Sequence, residues 1–287
     1  MITIINPNLD KITLSRSFSS LTEFNKCLGK ARYKRTIGDL HYPKFKVSKY
    51  QTIFVKQYPL DQKPCVYFKF GSTKKGSIAW VDFTPTKLDL DSWIDTVFTC
   101  VEIFWGDFFQ EFRIQNIELD MDIKSPMEDF IFIAPKTRIE NTYYQQKGSL
   151  YLGSKYSPNS FIIYDKQKQL YEKKHKVIPH SLTRIEARIR RVNLPMSQLS
   201  TLDNPFKSIL VIPLKRLTNI PLHKATTVFL DAIHSGRTGQ EAYQEQGKEG
   251  RRALLQALSQ MALRLGHCKS WGLWLQHQYD LLYAPFS

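Results

Sequence analysis

The sequence predicts an α+β protein with a helical C-terminal region, and three observations carry that prediction. From Thr52, short runs alternate apolar and polar residues at the period of a strand. A second strand-rich block follows from Ser149, and beyond about Pro205 the period becomes that of a helix. With 287 residues, 42% of them hydrophobic, the chain has enough apolar side chain for a sizeable core.

Residues 1–50 read as a basic, mixed N-terminal segment. Within it a helix is expected around Ser20–Ala31, capped by Ser20 or Thr22, with apolar Leu21, Phe24 and Leu28 recurring on one side. The following ARYKRTIGDLHYPKFKVSK is dense in Arg, Lys and Tyr, which suits either phosphate contact with base stacking or a solvated loop.

TIFVKQY, CVYFKFG, SIAWVDF and FRIQNIELDMDI then read as strands, and STKKG is the turn of a hairpin between the second and third. LDLDSWIDTVFTCVEIFW fits a helix that starts near Asp89 or Asp91 and carries Trp93, Ile94, Val97, Phe98, Val101 and Phe104 on one side.

In the second block, SLYLGSKYSPNSFIIYDK predicts a hairpin turning at Ser157–Pro158–Asn159. QKQLYEKKHKV suits a short helix, and HSLTRIEARIRRV an alternating strand. TTVFLDAIHSG reads as a helix ending at Gly236. GQEAYQEQGKEGRRALLQALSQMALRLG is the longest helical pattern, with a stripe of Leu254, Leu255, Leu258, Met261, Ala262 and Leu265. The two strand blocks share an outline, which hints at duplication.

Charge bounds the function. Forty-one Lys+Arg against 26 Asp+Glu give a net +15, a field that favours polyanions such as nucleic acid. No apolar run reaches the roughly 20 residues of a membrane span. MITIINPNLDKITLSRS lacks a basic region followed by an apolar one, so no secretory signal is expected. Cys27, Cys65, Cys100 and Cys268 are scattered without a Cys-x-x-Cys, which argues against a zinc ribbon or disulfide framework. The expected location is a reducing cytoplasm. Motifs for a phosphate-binding loop, a serine-hydrolase elbow and a His-Glu-x-x-His zinc site are missing.

Three clusters can carry chemistry. Glu118, Asp120 and Asp122 in IELDMDI share one strand face, opposite Ile117, Leu119, Met121 and Ile123. Their mutual repulsion calls for a divalent cation or basic partners. Tyr164 shares a face with Ile162 and Lys166; as a nucleophile its hydroxyl needs a nearby cation or base, which Lys166 or a metal would supply. A tyrosine on a strand is also an ordinary packing residue. Glu186 lies among Arg184, Arg188, Arg190 and Arg191, as a salt-bridged strand residue or as a metal ligand or general base beside phosphate-holding arginines.

Taken in order, IAWVDFTPTKL, a helix, NIELDMDI, GSLYLGSKYSPNSFIIYDKQKQ and LTRIEARIR resemble the rolling-circle replication initiators of the Rep_trans type, found on plasmids, phages and mobile elements. The resemblance covers roughly residues 50–215. It implies two related antiparallel sheets with flanking helices, with a relaxase-like nicking domain over 51–215 and a helical region over 216–287 for packing, DNA recognition or dimer contact. It also implies a tyrosine that attacks one origin strand, leaving a 5′-phosphotyrosyl link and a 3′-hydroxyl primer. By position, Tyr164 matches the family's tyrosine, Glu118 and Asp122 its paired acids and Glu186 its later acid, holding Mg2+ or Mn2+. Asp120 is an additional candidate ligand.

Lys166 is then a catalytic candidate, and Lys155, Arg184, Arg188, Arg190 and Arg191 are DNA-binding candidates. The expected partners are origin DNA, single-stranded or cruciform, a host helicase and a second copy of the chain. The sequence departs from the family at Asn116-Ile117-Glu118, where Arg-x-Asp is common, and Tyr171 stands as a rival nucleophile. A non-catalytic DNA-binding regulator on the same fold is the alternative, and an RNA-binding protein with tyrosine stacking platforms is a third reading.

Overall fold

Strands and helices follow the changes of period along the chain. The computed structural model describes the chain apart from residues 1, 6, 44–50, 58–63, 74–75, 105–107, 138–141, 146–147, 155, 264, 266–270 and 284–287. In order the elements are β1 (Thr3–Ile4), β2 (Asn8–Phe18), α1 (Leu21–Thr36), β3 (Gln51–Gln57), β4 (Pro64–Thr73), β5 (Gly76–Phe83), α2 (Leu90–Phe104), α3 (Phe108–Glu111), β6 (Arg113–Lys124) and β7 (Phe130–Ile133). There follow β8 (Thr142–Gln145), β9 (Ser149–Leu152), β10 (Asn159–Asp165), α4 (Lys166–Lys174), β11 (Thr183–Pro195), β12 (Leu210–Pro213), α5 (Lys224–His234), α6 (Gly239–Gln244), α7 (Lys248–Met261) and α8 (Trp271–Tyr283). The sheets are antiparallel and the fold is α+β, as the periodicities predict.

Side chains that compete with the backbone set the helix starts. Ser20 accepts from the Glu23 amide at 3.4 Å, Asp89 from Ser92 at 2.8 Å and Asp165 from Lys168 at 2.9 Å. The pattern expected as one long helix from Gly239 is two helices. A Thr238–Glu241 capping box starts α6, and α7 begins again after Gly247. The stripe survives on α7, where Leu254 and Leu258 are buried.

β2 lies in the segment read only as basic and mixed. Ile12 and Leu14 alternate with Thr13 and Ser15, but Arg16 takes the next position of the apolar phase, where it pairs with Glu23 and Glu111, and so cuts the alternation short.

The chain forms two compact units that interleave in sequence. One comprises Leu9–Glu118, Arg190–Leu202 and Ser270–Ser287. Its strand order is β3-β4-β5-β2-β6, and one sheet face packs under α1 and α2. There Phe24, Phe54, Phe70, Phe104 and Phe112 form a chain of ring contacts, with centroids 4.9 to 6.1 Å apart. Lys56 reaches the same side and is buried against Asp39, Asp95 and Thr99.

The other unit comprises Met1–Asn8, Leu119–Ile189 and Asp203–Lys269. Its strand order is β6-β11-β10-β9-β8, with β1 also on β6. A two-stranded sheet, β12-β7, packs with α5, α6 and α7 around Phe229, Ile133, Ile212, Leu254 and Leu258. Gly239 allows α6 to approach β7: a Cβ there would stand 2.0 Å from the Ile131 side chain.

Each unit has a three-stranded meander, β3-β4-β5 or β8-β9-β10, whose last strand pairs with a long strand, β2 or β11. The shared outline expected from the sequence is present, but β2 precedes its meander and β11 follows its own. No helix among the described residues is long and apolar enough to cross a membrane. Cys27 and Cys100 are buried free thiols, and burial raises both above the usual thiol range.

Candidate functional site: a tyrosine cleft beside an arginine–aspartate cluster

Antiparallel register decides which side chains share a face. In the β10–β11 pair, Tyr164 stands opposite Arg184 and Ile162 opposite Glu186. Residues directly opposite in a pleated pair point the same way. Tyr164, Ile162, Arg184, Glu186 and, two further on, Arg188 therefore occupy one face. Ile163, Ile185 and Ala187 take the other and are buried.

Arg184 ties β6 to that face. Its Nε and one terminal nitrogen bind the two oxygens of Asp122 at 2.7 and 2.6 Å, and its other terminal nitrogen binds Asp120 at 2.6 Å. Asn8 donates to the remaining Asp120 oxygen at 3.1 Å. Asp120 and Asp122 are only 3% and 6% exposed, so this is a buried, fork-shaped ion cluster. Burial alone would lower the Arg184 pKa, but the Asp122 hydrogen bond and the charges of Asp120 and Asp122 outweigh it. The guanidinium is held charged more firmly than usual.

Next to this cluster is a cleft of 960 Å³ within the same unit. Its floor includes Tyr151, Ile162, Tyr164, Glu186 and Arg188; Lys168 and Lys173 of α4 and Arg237 and Thr238 before α6 form further walls. Arg188 binds Glu186 at 2.6 Å. Lys166 is the first residue of α4 rather than a strand residue; its ammonium lies 5.7 Å from the Tyr164 ring centroid and donates to Gln169. Cations thus bracket Tyr164: Arg184 across the strand pair and Lys166 over the ring. Tyr171 is on α4, 59% exposed, outside the cleft lining and beside His175.

The expected site residues divide accordingly. Tyr164, Glu186 and Arg188 meet in the cleft, with Asp120, Asp122 and Arg184 on the same sheet face. Glu118 keeps the strand phase of Asp120 and Asp122 but belongs, like Arg190, to the part of its strand in the other unit. Arg191 adopts φ 58° and Asn193 φ 54°, so β11 loses regular alternation there and Arg191 cannot be placed on the Arg184 face by counting. Lys155 lies outside the described residues.

Two of the four carboxylates expected to hold the metal, Asp120 and Asp122, do not fit it as they are arranged. All four oxygens of Asp120 and Asp122 already accept from Arg184 or Asn8, and no group of three His, Cys, Asp or Glu among the described residues is arranged to hold a metal ion. Of the two ways to relieve repulsion along IELDMDI, the structure uses the basic partner.

Tyr151, Lys168, Lys173, Arg237 and Thr238 also line the cleft and carry no functional mark in the sequence. Lys168 and Lys173 belong to a charged run whose helical period leaves both exposed. Arg237 and Thr238 come from a distant segment and offered no local signal. Compared with known proteins, the chain matches no family model and no curated relative.

Proposed function

We propose that this chain is a cytoplasmic replication initiator that nicks and rejoins one strand of its origin DNA through Tyr164. The observation carrying the proposal is the cross-strand placement of Tyr164 against Arg184, with Glu186 as its diagonal neighbour, in a cleft where Lys168, Lys173, Arg188 and Arg237 stand among the acids Glu128, Asp165, Glu172 and Glu186. Diagonal neighbours on a sheet face are about 7–8 Å apart, within reach of long side chains.

In the proposed step the Tyr164 hydroxyl attacks a phosphodiester phosphorus. The Oη–P bond forms and the bond from phosphorus to the 3′ oxygen breaks. Glu186 takes the tyrosine proton, and the departing 3′ oxygen is protonated to give the primer hydroxyl. The strand remains as a 5′-phosphotyrosyl ester. One phosphodiester replaces another, so the reverse attack rejoins the strand. Arg184 offsets the charge developing at the phenolate, while Arg188, Lys168 and Lys173 hold phosphate oxygens.

No step here runs through a metal, because Arg184 and Asn8 engage Asp120 and Asp122, two of the four carboxylates that would bind it. The same observation favours a second reading, a DNA-binding regulator or replication accessory protein without catalysis, in which the cluster is purely structural. A nicking assay on supercoiled DNA bearing the element's origin separates them. Wild type should convert supercoiled to open circles. Tyr164→Phe should bind with unchanged affinity and not convert them. An inert wild type that still binds origin DNA supports the regulator, and full cleavage by Tyr164→Phe refutes the assignment of the nucleophile.

A further inference from the structure

The unit that does not hold Tyr164 has a second candidate site on its own sheet. Across β3, β4, β5 and β2, Phe54, Phe68, Val81 and Leu14 stand in register and are buried on the helix-covered face. The opposite face carries two other rows: Val55, Tyr67, Asp82 and Thr13, then Ile53, Lys69, Trp80 and Ser15. On this second face is a cavity of 650 Å³, lined by Lys11, Tyr67, Lys69, Trp80, Asp82 and Asn116 among others.

Asp82 is the informative residue. It is 5% exposed, and its Oδ2 accepts from the Lys69 ammonium. Its Oδ1 is buried without a hydrogen-bond partner among the described residues. A buried carboxylate oxygen left without a donor is costly and uncommon, and a ligand that brings an N–H to it removes the cost. The register puts Trp80 and Tyr67 at diagonal positions on this face. An indole and a phenol beside an orphan acceptor and two lysines suit a flat, hydrogen-bonding group attached to phosphate.

We propose that this face binds unpaired bases of a single nucleic-acid strand. Trp80 is the stacking platform, Asp82 Oδ1 accepts from a base N–H and Lys11 pairs with the backbone. A net charge of +15 is complementary to such a strand. Bases inside a duplex present no free face to Trp80, so the site selects single strands. The inference does not depend on Tyr164 being a nucleophile, because its readouts are binding and cross-linking alone.

The test uses the full chain and fluorescein-labelled decamers at fixed salt: dC10, rC10 and an abasic decamer of equal charge. Cytosine offers an amino donor at its exposed edge. Trp80→Ala should weaken dC10 or rC10 binding by about 5- to 150-fold, the range for loss of one base–aromatic stack, with little effect on the abasic strand. Asp82→Asn should reduce the preference for the cytosine strand over the abasic one. Whichever of dC10 and rC10 shows the larger Trp80 dependence identifies the strand.

Because Trp80→Ala removes a large side chain, melting curves accompany each variant. Trp80→Phe, which keeps a ring, should retain most of the binding. In parallel, ultraviolet cross-linking of a strand containing 5-iodouracil should label β4 or β5 at Tyr67 or Trp80. Cross-links confined to the Tyr164 unit, or a folded Trp80→Ala that binds both cytosine strands like wild type, would overturn the proposal.

Discussion

Replacing Arg184 with methionine tests the ion cluster at the centre of the candidate site. The substitution keeps much of the apolar stem and removes the guanidinium. It leaves Asp120 and Asp122, 3% and 6% exposed, as neighbouring like charges without their shared partner. Removing one member of a buried pair costs about 3–5 kcal/mol. At about 2–4 °C per kcal/mol for a unit of this size, the melting temperature should fall by roughly 6–20 °C.

Two additions make the result specific. Changing Asp120→Asn and Asp122→Asn together in the Arg184→Met background should recover most of the loss, since the uncompensated charge disappears. Acidifying the single variant should also recover stability. Without Arg184, burial and mutual repulsion raise the aspartate pKa values in the folded state, so protonation favours folding and the loss reappears as pH rises through them. Thermal melts of the three proteins between pH 4.5 and 7 suffice. An Arg184→Met protein that melts within a degree or two of wild type at neutral pH would mean that the guanidinium does not stabilise the aspartate pair.

Other perturbations probe the remaining parts. Wild-type cleavage should proceed equally in EDTA and in Mg2+; cleavage that stops in EDTA and returns with Mg2+ or Mn2+ would require those ions to displace Arg184 from the aspartates. Exchanging Lys168 and Lys173 for alanine should lower the slope of log affinity for single-stranded DNA against log salt by about 1.4, or about 0.7 per phosphate contact, with melting unchanged. An unchanged slope would take α4 out of the DNA path.

Asp39 supplies a pH test in the other unit. Burial alone would raise its pKa, but hydrogen bonds and charge from Lys56 and Lys34 outweigh it and hold the carboxyl below its ordinary 3.8. Its stabilisation is therefore complete above pH 3.8 and is lost as pH falls through the lowered value. Asp39→Asn should cost about 1.5–3 kcal/mol at pH 7 by urea melts, and the difference should shrink below pH 3.8. A difference that does not change with pH would contradict the pairing.

Residues whose environment is set by local period were legible. The face shared by Asp120 and Asp122, the Tyr164 strand and the charged face of Arg184, Glu186 and Arg188 all follow from alternation. The caps at Ser20 and Asp89 follow from side-chain chemistry. What was not legible depends on pairing between distant segments. Nothing in IELDMDI says that Arg184, 62 residues from Asp122, sits between its aspartates rather than a metal ion. Arg16 interrupted the alternation of β2, and the break before Gly247 divided a helical pattern that looked continuous.

Recovery of the covalent adduct identifies the nucleophile. Wild-type protein is incubated with a single-stranded origin oligonucleotide, digested with nuclease and trypsin, and its tyrosine-linked nucleotide mapped by fragmentation mass spectrometry. Trypsin separates Tyr164 in YSPNSFIIYDK from Tyr171 in QLYEK. The expected adduct is a 5′-phosphonucleotide on Tyr164. An adduct on Tyr171 or Tyr156 would contradict it, as would nicked origin DNA with no tyrosine adduct.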